Sequence, residues 1–134
     1  MFTLPFVLTT ALAVATATAL TIDLTVRARA TVERDGSILV RGSVTCSAQT
    51  TVSIEGQVVE ELNQSNVAAG VFAADVICDT APTPWTATVT ADTDVRFRPG
   101  FASIGVSATA FDPESGVFTG VESTGFLHLT RSDR

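Results

Sequence analysis

Few side chains in this chain of 134 residues could do chemistry. Cys46 and Cys78 are the two thiols, and a thiol pair can hold a metal, act as a nucleophile or close a disulfide. The Cys-x-x-Cys spacing that would support metal or redox work is absent. His128 is the one histidine, so a Ser-His-Asp arrangement would have to use it as base. It sits in Phe126-Leu127-His128-Leu129, a terminal strand pattern with leucines on the opposite face. No Gly-x-Ser-x-Gly elbow occurs anywhere, so no activated serine is on offer and no catalytic residue is assigned.

The carboxylates offer little more. Asp92 and Asp94, Asp75 and Asp79, and Asp112 and Glu114 form acidic clusters that could in principle bind calcium. Calcium needs six to eight converging oxygens, and two carboxylates per loop read more simply as solvated turn residues. Glu60 and Glu61 resemble the carboxylate pair of a glycosidase, but adjacent strand residues point to opposite faces and cannot flank one bond. No metal and no cofactor is expected. Arg96, Phe97, Arg98 and Phe101 combine aromatic and guanidinium groups around Pro99-Gly100, a composition that suits an interface hot spot. These four are the expected partner contact, weighed against a plain strand edge or hydrophobic cap. Asn63-Gln64-Ser65 is a glycosylation sequon, which would matter in a eukaryotic secretory pathway and would be accidental in a bacterial one.

The elements that must position these residues are strands. Ile22, Leu24, Val26, Ala28, Ala30 and Val32 alternate with polar residues, and Arg34-Asp35-Gly36 then turns the chain. Ile38, Val40, Gly42, Val44 and Cys46 answer as the second arm of a hairpin. Val52, Ile54, Gly56 and Val58 follow, with Val59-Glu60-Glu61 disturbing the phase. Further inward sets are Phe72, Ala74, Val76 and Cys78; Trp85, Ala87, Val89 and Ala91; and Ala102, Ile104, Val106, Ala108 and Ala110. A short segment lies around Val95 and Phe97, and the last one, residues 117–130, is interrupted by Gly120 and Gly125. No stretch carries helical periodicity. Seven or eight short strands predict an antiparallel sandwich or barrel, with Trp85 in its core.

Residues 1–19 carry no charge. An apolar run from Leu4 to Val14 precedes Ala15-Thr16-Ala17-Thr18-Ala19, which holds two overlapping Ala-x-Ala sites. This predicts a secretory signal peptide cut after Ala17 or Ala19, although no basic residue precedes the apolar run. The competing reading is an uncleaved anchor, for which the run is barely long enough. Residues 20–134 would form the exported domain. In an exported protein two cysteines read as a disulfide, and a loop of this length is worth about 3–4 kcal/mol in the chain-entropy model. With 8 basic and 14 acidic residues the net charge is -6, which argues against nucleic acid as the partner.

Several short motifs together carry a resemblance. Asp35-Gly36-Ser37, the run from Val40 through Gly42 and Val44 to Cys46, Val76-x-Cys78-Asp79, Trp85, and Phe97-x-x-Gly100 resemble a family of small secreted actinobacterial proteins of unknown function. The match covers residues 30–110. It implies an immunoglobulin-like β-sandwich with one disulfide, together with export, and it carries no known activity. All eight basic side chains are arginine and tyrosine is absent, a bias in keeping with a GC-rich bacterial genome. The expectation is an exported, non-catalytic binding or structural module of the cell envelope or medium. The alternative is a small-molecule carrier with an apolar cleft between its sheets.

Overall fold

The computed structural model describes residues 19–63 and 65–132. The expected leader lies outside the described residues except for Ala19, as does Gln64 of the sequon. Eight strands make up the fold: β1 (Ile22–Val26), β2 (Arg29–Val32), β3 (Ile38–Cys46), β4 (Thr50–Glu61), β5 (Val67–Cys78), β6 (Thr83–Val89), β7 (Gly100–Asp112) and β8 (Val117–Arg131). There is no helix among the described residues.

Alternation of apolar and polar residues explains most of these strands. In β3, Ile38, Val40, Val44 and Cys46 are buried, and in β7 the same holds for Ala102, Ile104, Val106, Ala108 and Ala110. The strands join in one hydrogen-bonded network in the order β1-β3-β2-β8-β7-β4-β5, with β6 paired to β3. All pairings are antiparallel except β2 with β8, which is parallel. The inward side chains of all eight strands form one core, so the network folds over on itself.

The expected first strand divides in two. β1 pairs with β3, and the Arg27 N–H still donates to the Arg41 carbonyl at 2.8 Å. At Ala28 the chain leaves that register, and its carbonyl accepts instead from the His128 N–H at 2.7 Å. β2 then lies between β3 and β8, and Ala28, expected inward, is exposed. The β2–β3 hairpin forms as expected. Gly36 adopts a φ of 88°, and Asp35 Oδ1 accepts from the Ser37 N–H and hydroxyl at 2.9 and 2.6 Å. Those two bonds hold the Asp35 carboxyl below its ordinary range.

Two more expectations change. The segment around Val95 and Phe97 is not a strand, and residues 117–131 form one unbroken strand despite Gly120 and Gly125. Continuous pairing with β7, from Asp112↔Val117 to Gly100↔Leu129, carries β8 across both glycines.

Cys46 and Cys78 are bonded, with their Cα atoms 5.8 Å apart. The bridge ties the end of β3 to the end of β5. Trp85 is core, as expected: it stacks on Phe72 at 6.1 Å and covers Gly42, where an added Cβ would stand 2.6 Å from the indole. Its Nε1 has no hydrogen-bond partner among the described residues.

Candidate functional site

Paired residues of an antiparallel sheet share a face. The registers of β5, β4, β7 and β8 therefore define the outward rows of this half of the fold. One end carries Phe118, Phe111 and Ile77. The middle rows carry Asp75 with Ser53, then Glu122, Ser107 and Glu55, then Thr124, Gly105, Gln57 and Val71. The far end carries Phe126, Ser103 and Val59, and finally His128 and Phe101.

Seven large apolar side chains stand exposed among the described residues, and six of them lie on this face. Phe126 is 76% exposed, Phe118 73% and Phe101 70%; Val71, Ile77 and Phe111 complete the set. Phe111 and Phe118 meet edge to face at 5.2 Å, and Phe101 stacks on His128 at 4.8 Å. Between the aromatic ends, Gly105 leaves the floor open. An added Cβ on Gly105 would find only the Thr124 methyl at 4.0 Å. The result is a shallow dish of about 1120 Å³, with Glu55, Gln57, Glu122 and Phe126 among its walls.

The charge of the face is one-sided. Glu55, Glu61, Asp75 and Glu122 project from it, and no described arginine occupies an outward position of these four strands. Asp75 accepts from the Ser53 hydroxyl at 3.0 Å. Carboxylates and rings lie side by side here, and the hydroxyls and amide of Ser103, Ser107, Thr124 and Gln57 add neutral hydrogen-bonding groups.

The loop singled out from sequence is built differently. Phe97 is a correction: it is 2% exposed and belongs to the core, so it forms no surface contact. The cause is Glu60. The strand alternation runs through Val59-Glu60-Glu61 without a break, and Glu60 takes the inward position beyond Val58. Its carboxylate, on a residue 2% exposed, accepts the Arg98 N–H at 2.9 Å and pins the loop down with Phe97 turned inward. Burial pushes the Glu60 carboxyl above its ordinary range, against the Arg98 N–H and guanidinium, which lower it. Gly100 completes the turn with a φ of 146°. Phe101 leaves on the outer face, whereas Arg96 and Arg98 line a separate depression of about 570 Å³ with Arg34 and Asn66.

Glu60 and Glu61 point to opposite faces, as strand geometry requires. The acidic clusters form no group of three or more metal-ligating side chains among the described residues. The neighbour of the His128 ring is Phe101. Phe126, Glu55 and Glu122 were not singled out from sequence. Glu55 stood on the polar side of its strand's alternation, but only the register of β4, β7 and β8 brings the three together.

Family-model comparison yields no match. A search of curated proteins finds no match either. The functional reading therefore rests on this geometry.

Proposed function

We propose that the protein is an exported, non-catalytic binding module that recognises a positively charged, partly apolar partner through the outer face of β5, β4, β7 and β8. One observation carries the reading: six of the seven exposed large apolar side chains share this face with four carboxylates and no outward arginine. Apolar side chains scattered over a surface need no explanation, but a collected set marks a contact site. Aromatic rings supply contact area at small entropic cost, and the carboxylates select the sign of the partner's charge. Phosphate-rich nucleic acid and anionic lipid surfaces are disfavoured by the same charge. The carrier alternative finds less support, because the dish of Glu55, Gln57, Glu122 and Phe126 lies on the outer face rather than between the strand layers.

The strand pairing supports an immunoglobulin-like sandwich. β1, β3 and β6 make one layer, β8, β7, β4 and β5 the other, and β2 crosses between them to run parallel to the last strand. Two features depart from antibody domains. The disulfide joins β3 to β5, and the buried tryptophan sits on β6. The resemblance to small secreted actinobacterial proteins and the disulfide both favour an oxidising, extracytoplasmic setting.

The test is a titration with a short amphipathic lysine-leucine peptide and its glutamate-leucine counterpart. We expect binding of the cationic peptide alone, weakening as salt is raised. The triple variant Glu55→Gln, Glu122→Gln, Phe126→Ser should lose it while keeping its melting temperature. Equal binding of both peptides, or binding of neither, would overturn the reading.

A further inference from the structure

We infer that the leader is removed after Ala19 rather than Ala17, and that the α-ammonium group created at Leu20 pairs with the Asp112 carboxylate. This inference rests on the export part of the reading above. The two Ala-x-Ala sites are equivalent as sequence, but the fold distinguishes them. Ala19 is exposed, whereas Leu20 is 8% exposed and is the first member of the core. The Leu20 nitrogen lies 3.4 Å from Asp112 Oδ2, at the end of β7. The next residues are already fastened: the Thr21 N–H donates to Ser47 Oγ at 2.9 Å, and Ile22 pairs with Cys46.

In the uncut chain the Leu20 nitrogen is a neutral amide making one long hydrogen bond. Hydrolysis adds water across the Ala19–Leu20 bond. Ala19 leaves with the new carboxyl group, and Leu20 keeps the nitrogen, which takes up a proton as an α-amine does at neutral pH. The long bond thereby becomes an ammonium–carboxylate pair, which is shorter and stronger. Asp112 is prepared for this. The Glu114 N–H donates to its other oxygen at 3.0 Å, and hydrogen bonds of this kind outweigh burial and keep it ionised. A cut after Ala17 would leave Thr18-Ala19 in front of Leu20 and the nitrogen neutral.

The sequence makes the test clean. The chain contains no lysine, so a mature N-terminus is its one amine. The full chain is expressed in a secreting bacterial host, and the exported product is weighed intact. We expect a mass beginning at Leu20. A mass beginning at Thr18 overturns the assignment while leaving export standing; an uncut exported product overturns the assignment and the cleaved leader with it, and a chain retained in the cytoplasm overturns export. The exported protein is then acetylated with an amine-selective reagent. Acetylation should lower the melting temperature by about 2 °C, a shift on the scale of one partly exposed ion pair. In Asp112→Asn, which keeps an acceptor for the Glu114 N–H, acetylation should do nothing. An equal loss in both proteins, or no loss in either, overturns the pairing.

Discussion

Glu60 is a carboxylate in a position that β4 reserves for an apolar side chain, and its chemistry follows from that placement. Its folded-state pKa lies above the ordinary value of 4.5, so the protonated form is the one folding favours. The contribution to stability is fully present below pH 4.5 and is lost as pH rises through the raised value. Glu60→Gln keeps an oxygen for the Arg98 N–H and removes the charge. We expect it to match the native protein in urea unfolding at pH 4 and to exceed it at pH 8. Glu60→Ala leaves that part-buried N–H without its carboxylate and should cost about 1 kcal/mol. Trp85 gives a second contrast. Its indole N–H is buried without a partner, so Trp85→Phe should be close to neutral, whereas Trp85→Ala should cost about 3–5 kcal/mol by opening a cavity against Phe72. Chemical denaturation of the two variants decides this. At this scale the sequence was partly legible. Trp85 in the core could be read from its alternation with Ala87 and Val89. Glu60 could not, because a carboxylate at an inward position looks like a break in phase until its partner, the main-chain N–H of Arg98, is known.

Strands read well from alternation and poorly from interruptions. β3, β4, β6 and β7 follow their apolar parity, because each buries one face and a slip by one residue would expose it. The division of β1 from β2 left no mark in the pattern: the parity continues through Ala28, and only the change of partner from β3 to β8 separates them. Gly120 and Gly125 suggested a broken last strand, yet pairing with β7 carries it across both. Glycines within strands thus divide into two kinds. At Gly42 an added methyl meets the Thr25 carbonyl oxygen and the Trp85 ring, so Gly42→Ala should detach β1 and lower the melting temperature by several degrees. At Gly105 there is room, so Gly105→Ala should leave the melting temperature unchanged and weaken peptide binding by shallowing the dish. Calorimetry on both variants, with a peptide titration of the second, separates the two roles.

Across the whole molecule, the disulfide and the two-sided distribution of surface groups matter most. The bridge joins β3 to β5, strands that are not hydrogen-bonded neighbours, and its loss in a Cys46→Ala/Cys78→Ala double variant should cost about 3–4 kcal/mol in urea unfolding. The pairing of the two cysteines was legible from their even number and expected export. The acidic, aromatic outer face was not, since its rows draw on β4, β5, β7 and β8, and contacts between distant segments leave no local pattern. A sequence reading gathers Arg96, Phe97, Arg98 and Phe101 because they are neighbours in the chain; folding sends Phe97 to the core and Phe101 to the acidic face. The central claim is that this face, and no other surface, meets a cationic partner. The most direct measurement is backbone-amide chemical-shift mapping during titration with the lysine-leucine peptide. The expected result is that shifts concentrate in residues 55–59, 103–107 and 122–126. Shifts confined to the Arg96–Arg98 loop or to the buried core would contradict it.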